Sequence, residues 1–267
     1  MLHYKYLLVL LSSVLSFKSF ANLNNVFLSY GKVPIQKIRN YTYVILEASH
    51  YTAGEVAVLK QYNRHVLCYI SLGEVNKYTP FYEQAKSFVL SGKNEIWNSY
   101  YLDLEKKPLQ KILMKDIKDK IKVKGFDGLF LDNIDNYGMY GKQKFLQKYL
   151  LSFLIDLKKQ YSGIYLMQNA GLDLIKMSHN LVDSVAVESV ITSYSFEKKK
   201  YQFRKKKEFQ HKAINIKKIE QEYNIPFIII EYMDSDKGKN KILRKLKKFN
   251  WNVFVGQIDL QNTPIFK

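Results

Sequence analysis

The chain has 267 residues, 47% of them apolar and 15% aromatic, which suits one large domain or two small ones with a real hydrophobic core. Its formal charge of +18 favours anionic surfaces such as nucleic acid, envelope phosphates or acidic glycans. The single cysteine, Cys68, excludes an intrachain disulfide, so the fold must rest on its core.

Residues 1–21, MLHYKYLLVLLSSVLSFKSFA, read as a secretory signal. Lys5 supplies the charged start, Leu7 to Leu15 the apolar stretch, and Ser19-Phe20-Ala21 a small-x-small cleavage site. The apolar stretch falls short of the ~20 residues that a membrane-spanning helix needs. No cysteine follows it for lipid attachment. The mature protein is expected to begin at Asn22, secreted or periplasmic and without a transmembrane anchor. Loss of Lys5 and Lys18 takes the formal charge from +18 to +16.

Eight strand candidates follow in chain order: YVILEA (43–48), VLCYISL (66–72), SYYLDL (99–104), GLFLDN (128–133), IYLMQN (164–169), SVAVES (184–189), FIIIEY (227–232) and NVFVGQI (252–258). Amphipathic stretches separate them, clearest at 107–125, 142–163 and 240–250. In the second of these Leu146, Leu150, Phe153, Leu154 and Leu157 recur at helical spacing with lysines opposite. Gly125 and Gly163 stand where helix C-caps belong.

Strands this uniformly apolar are buried on both faces, as in a parallel sheet covered by helices. Eight such units in about 245 mature residues match a single (β/α)₈ barrel spanning 22–267. A doubly wound sheet is the runner-up, but no glycine-rich phosphate loop follows the first strand, where the chain reads SHYTAGE.

Between the sixth and seventh strands lies the densest basic run, KKKYQFRKKK (198–207). It reads as a solvated loop and helix start, or as a patch for weak association with anionic cell-surface polymers. No helix-turn-helix, zinc-finger or aromatic RNA-binding signature accompanies it, so no specific nucleic-acid partner is expected. The five histidines show no metal-ligand spacing, and neither metal nor other cofactor is expected.

The strands end on Glu47, Glu74, Asp103, Asp132, Asn169, Glu188, Glu231 and Gln257. In a barrel these ends converge on the C-terminal face, where active sites of this architecture sit. Turn chemistry explains an aspartate or two, but glutamate is a poor cap and a poor strand residue. Acids and amides around one mouth, with no phosphate loop or serine elbow, suit glycoside hydrolysis best. That reaction needs one carboxylic acid to protonate the leaving oxygen and one carboxylate as nucleophile or base. A divalent-metal site is the other use for such a ring.

CYISLGE (68–74), GFDGLFLDNIDNY (125–137), QNAG (168–171), VAVES (185–189) and IIIEY (228–232) together resemble glycoside hydrolase family 114 from about Tyr30 to the C-terminus. The resemblance implies a (β/α)₈ barrel acting outside the cell on α-1,4-linked galactosamine-containing polymers, as endo-α-1,4-polygalactosaminidases do. A hydrolase domain that processes the Pel exopolysaccharide belongs to the same family. The family's catalytic pair falls on Asp132 and Glu188. Relatives often carry an arginine soon after the GE of the second strand, whereas this chain reads GEVNKYTPFY, with Lys77 nearest.

The residues themselves support that pair. Glu188 stands in the apolar setting VAVES, which should raise its pKa and suit it to general-acid work. Asp132, beside Asn133 and Asp135, has a more polar setting suited to a nucleophile or base. Substrate binding and tuning of the pair are expected of Glu47, Glu74, Asp103, Asn169, Glu231 and Gln257. Asp135 reads as support for the pair or as a loop cap. Tyr137, Tyr194 and Phe196 are candidate sugar platforms, whereas Tyr69, Tyr101 and Tyr232 read as core or rim. A barrel that has lost catalysis but keeps its groove, and a binder of anionic polymers, are the competing readings.

Overall fold

The computed structural model describes residues 24–267, and the expected signal at 1–21 lies outside them. Eight strands form one parallel sheet in chain order: β1 (Asn24–Ser29), β2 (Tyr41–Leu46), β3 (His65–Ser71), β4 (Gly128–Asp132), β5 (Tyr165–Asn169), β6 (Ser184–Glu188), β7 (Phe227–Tyr232) and β8 (Asn252–Gly256). Just past the two edge strands, the Tyr30 N–H donates to the Leu260 carbonyl at 2.6 Å and draws the ends together. The sheet is a nearly closed (β/α)₈ barrel.

One strand differs from the sequence reading. Residues 99–104 contribute no barrel strand. Ser99–Leu102 is the middle strand of a small antiparallel sheet with Glu74–Val75 and Val89–Asn94, on the excursion between β3 and β4. Tyr100 and Tyr101 are only half-buried there. The first barrel strand is instead NNVFLS, whose opening asparagines mask its strand character. The omission precedes the false strand, so GLFLDN remains the fourth strand and SVAVE the sixth.

The principal helices are α1 (Ala53–Tyr62), α2 (Lys107–Lys118), α3 (Gln147–Gln160), α4 (Lys206–Tyr223) and α5 (Asp236–Leu246). Helix α1 starts on a capping box in which Thr52 and Glu55 exchange backbone hydrogen bonds. Helix α3 buries Leu150, Phe153, Leu154 and Leu157 against the barrel, the face that its spacing predicts. After α2 the chain turns through a π-helical stretch, Asp119–Val123, and closes at Gly125 with φ +81°, a conformation that costs most other residues energy.

Because successive strand residues point to opposite faces, each strand feeds two cores. Leu67, Phe130, Met167, Ile228 and Ile230 fill the barrel interior. Val66, Leu129, Leu131, Leu166 and Ile229 pack outward under the helices. Among the described residues no helix is long and apolar enough to cross a membrane.

Candidate active site

The pleat decides which strand-end residues meet. Interior positions run Phe130 to Asp132 on β4, Met167 to Asn169 on β5, Ala186 to Glu188 on β6 and Ile230 to Tyr232 on β7. The same phase carries β3 through Leu67 to Tyr69, and β1 through Leu28 to Tyr30. Asp132, Asn169, Glu188, Tyr232, Tyr69 and Tyr30 therefore converge at the C-terminal mouth of the barrel.

Asn169 stands between the two acids. Its side-chain nitrogen donates to Asp132 Oδ1 at 2.8 Å and to Glu188 Oε1 at 2.8 Å. Tyr69 donates its hydroxyl to Asp132 Oδ2 at 2.9 Å, and Tyr232 donates to Glu188 Oε2 at 2.6 Å. Each carboxylate thus has one oxygen on the shared amide and the other on a tyrosine of its own. Tyr30 packs on Tyr69 with ring centroids 4.6 Å apart. None of the ion pairs formed among the described residues involves Asp132 or Glu188. Both acids lie in a polar but uncompensated cavity.

Burial raises the Asp132 carboxyl above its ordinary pKa, while hydrogen bonds from Asn169, the Asn133 backbone and Tyr69 oppose the rise. Burial likewise raises Glu188, the Asp132 charge raises it further, and hydrogen bonds from Tyr232 and Asn169 oppose. Burial first, and then the neighbouring carboxylates, holds the phenols of Tyr30, Tyr69 and Tyr232 well above their usual value. These tyrosines stay neutral donors.

The backbone turns sharply after each central residue. Asn133, Ala170 and Ser189, which follow Asp132, Asn169 and Glu188, have φ of +58°, +59° and +55°. Left-handed conformations in residues other than glycine persist only where surrounding structure enforces them, and they cluster at functional sites. Outward-facing polar side chains supply that enforcement. Gln168 donates to the carbonyls of Ala170 and Gly171 at 2.8 and 3.0 Å and accepts from the Ser178 hydroxyl at 2.7 Å. Glu231 accepts from the backbone of Val190, Ile191 and Thr192, the stretch that leaves Glu188. From the interior phase of β3, Ser71 adds a hydrogen bond to the Asn133 side chain at 2.7 Å.

The remaining expected site residues divide by position. Glu47 has the interior phase and stands at the mouth, where one oxygen caps the following turn through the Ser49 N–H at 3.1 Å. Asp135 is exposed in the turn Ile134–Tyr137, just past the end of β4. Tyr194 lies half-buried on the hairpin after β6, between Phe196 and Tyr201.

Five others do not face the cavity. Glu231 is fully buried on the outward phase of β7. Gln257 also has the outward phase, and its amide ties Met233 to Ile265 near the C-terminus. Tyr137 is core, its hydroxyl donating to the Leu72 carbonyl at 2.7 Å, and offers no platform. Glu74 is buried in the side sheet, where it accepts from Asn94, Ser99 and Asn136. Asp103 lies off the barrel, 3.6 Å from Lys106.

The sequence reading missed Tyr69, Tyr232 and Tyr30 as site residues. No local pattern marked them, because a strand that is apolar at every position hides which of its residues point inward. As for metal, no trio of His, Cys, Asp or Glu side chains among the described residues is grouped to hold an ion.

Known proteins share this barrel. The family model described as glycoside-hydrolase family GH114 matches residues 21–263. An uncharacterized protein of Methanocaldococcus jannaschii is 22% identical over 235 residues, covering 79% of this chain; the alignment spans 66% of that relative's length. The glycoside hydrolase domain of PelA from Pseudomonas aeruginosa superposes with a TM-score of 0.78 at 21% identity, covering 90% of this chain and 98% of that one. Aspergillus fumigatus Ega3, solved in complex with galactosamine, gives a TM-score of 0.68 at 16% identity over 91% and 93% of the two chains.

Proposed function

Since the chain belongs to glycoside hydrolase family GH114, we propose that it is an exported enzyme cleaving α-1,4-linked galactosamine-containing polysaccharide with Asp132 as nucleophile and Glu188 as acid and base. The observation that carries the mechanism is the Asn169 bridge. Two carboxylate oxygens that each sit 2.8 Å from one nitrogen lie no more than twice that, 5.6 Å, apart. Retaining glycosidases place their carboxyl groups ~5–5.5 Å apart, whereas inverting ones need ~6.5–9.5 Å to admit a water. The spacing favours retention.

The hydrogen bonds favour the division of labour. Asp132 has three donors to stabilise its charge and Glu188 has two, so the proton of the pair resides preferentially on Glu188. Glu188 gives that proton to the glycosidic oxygen as Asp132 attacks the anomeric carbon. The leaving chain departs as an alcohol, and a glycosyl ester of Asp132 remains. A water then gives its proton to the Glu188 carboxylate and attacks the anomeric carbon, releasing Asp132 with the configuration restored.

An amino-sugar substrate is supported by the acidic mouth, where Asp132, Glu47 and Asp135 attract an ammonium group. It is also supported by the galactosamine complex of Ega3. The mature formal charge of +16 (+18 less Lys5 and Lys18) opposes a cationic polymer at long range, but screening confines that repulsion to within ~8–10 Å at physiological salt. The test is to incubate the purified protein with amino-sugar polymers, follow new reducing ends and read the anomer by proton NMR. The α-anomer should appear first. Absence of new reducing ends from every polymer would leave the barrel a binding module, and initial β-anomer would overturn retention.

A further inference from the structure

Two hairpins rise from the C-terminal face. One is the side-sheet pair Val89–Asn94 and Ser99–Leu102, which follows β3; the other is Thr192–Ser195 and Lys200–Phe203, which follows β6. Strands β4 and β5, bearing Asp132 and Asn169, lie between their roots. The hairpins meet through aromatic side chains. Trp97, at the turn of the first, packs edge-on against Phe196 of the second with centroids 5.4 Å apart. Phe196 packs on Tyr194 at 5.1 Å, and Tyr194 on Tyr201 at 4.8 Å. The Tyr201 hydroxyl accepts from the Ile258 N–H at 3.1 Å, beyond β8. A continuous aromatic row therefore links the exits of β3, β6 and β8 around the mouth.

Its outer end faces water. Trp97 is 54% exposed and Phe196 46% exposed, an unusual state for two adjoining large apolar rings. Stability does not require them there, since their contact buries neither ring. Both supports are rigid. The first hairpin is pinned by Glu74, which accepts from Asn94, Ser99 and the post-β4 residue Asn136. The second is pinned at Thr192 by Glu231, and at Arg204, whose backbone N–H donates to Ile191 O and whose side chain donates to Ser189 O. Exposed rings on pre-ordered supports bind a flat apolar face without first losing entropy.

We propose that Trp97 and Phe196 form a sugar-stacking subsite that holds the polysaccharide beyond the residues bound at Asp132 and Glu188, an inference that rests on the glycosidase reading. The occupant is the substrate chain itself, because the aromatic row is continuous with the catalytic mouth. A pyranose presents a face of C–H groups to an aromatic ring and keeps its hydroxyls and ammonium groups in water. The subsite therefore reads ring shape and chain length rather than the substituent at the cleaved bond.

The protein has two tryptophans, and Trp251 is buried against Phe249. Emission from Trp97 is thus a direct probe. In an Asp132→Asn background, titration with an α-1,4-linked galactosamine polymer should shift the emission to the blue, and Trp97→Phe should abolish the shift. In the active enzyme, Trp97→Ala and Phe196→Ala should each raise KM for the polymer about three- to tenfold, the loss of one stacking contact, with the effect falling on KM rather than kcat. The rise should shrink as the substrate is shortened to a few sugars. Far-UV circular dichroism and melting temperature establish that both variants fold. Wild-type protein that cleaves the polymer while its emission stays fixed and both variants keep the wild-type KM overturns the subsite alone. Wild-type protein that cleaves no amino-sugar polymer overturns the glycosidase reading and the subsite with it.

Discussion

Thr192 gives Glu231 both its backbone N–H, at 2.9 Å, and its hydroxyl, at 2.5 Å. With the N–H groups of Val190 and Ile191 at 2.9 and 2.7 Å, four donors converge on one buried carboxylate that forms no salt bridge among the described residues. The acid of β7 therefore fixes the exit of β6, immediately after Glu188. Its place is structural, and its influence on chemistry passes through the backbone.

Glu231→Ala should strand these buried donors and leave a cavity. A destabilisation of at least about 3 kcal/mol follows from leaving several buried polar groups unpaired. Urea denaturation reads this directly, and a change below about 1 kcal/mol would contradict the structural role. Turnover should also fall, since the segment leaving Glu188 loses its anchor.

Asp132→Asn and Glu188→Gln preserve shape and remove the titrating group. General acid–base catalysis contributes ~10²–10⁴-fold, and loss of a nucleophile costs more. Each variant should fold normally and lose at least about 100-fold in kcat on amino-sugar polymer while still binding it. Wild-type turnover in both would remove the pair from the mechanism.

Stability should carry the mark of the same pair. Burial raises the pKa of Asp132 and of Glu188 in the folded protein. An acid with a raised folded pKa is more readily protonated in the native state. Its ionisation opposes folding, and the opposition sets in as pH rises above the unfolded values, ~3.9 for Asp and ~4.3 for Glu, and through the raised folded values. The Asp132→Asn/Glu188→Gln double variant should thus exceed wild type in unfolding free energy at pH 7 and approach it below about pH 4. Urea titrations at the two pH values decide the matter; a gap that widens on acidification would reverse the sign.

Asn169→Leu keeps approximate volume and removes the donor shared by both acids. Hydrogen bonding from Asn169 lowers the pKa of each carboxyl, so its loss should raise both. The acid limb of the kcat/KM profile should move to higher pH, and kcat should fall about 10- to 100-fold, with less effect on KM. A merely structural asparagine would lower stability without moving the limb. Asn169→Asp should do worse than leucine, since it adds a third carboxylate to the cluster.

Much of the architecture was legible in the chain. Eight buried parallel strands follow from runs such as FIIIEY and GLFLD, in which nearly every position is apolar. The strand count came out right although one member was exchanged. NNVFLS starts on two polar residues, and SYYL is apolar enough to imitate a barrel strand. Asp132, Asn169 and Glu188 were readable as strand-end polar groups because each closes an apolar run.

What the chain could not reveal is the phase of the pleat. A half-buried strand announces its inner face by alternation, but a strand buried on both faces is apolar at every position and carries no such mark. In Ile228–Ile229–Ile230–Glu231–Tyr232 nothing local distinguishes a glutamate that lines the cavity from one that points beneath the helices. Pairing of Ile230 with Glu188, together with closure of the barrel, settled it: Tyr232 turned inward onto Glu188 and Glu231 outward onto the loop. The sequence determined that polar groups would gather at the strand ends. Only the shared register of eight strands, which no one strand encodes, decided which of them would face one another.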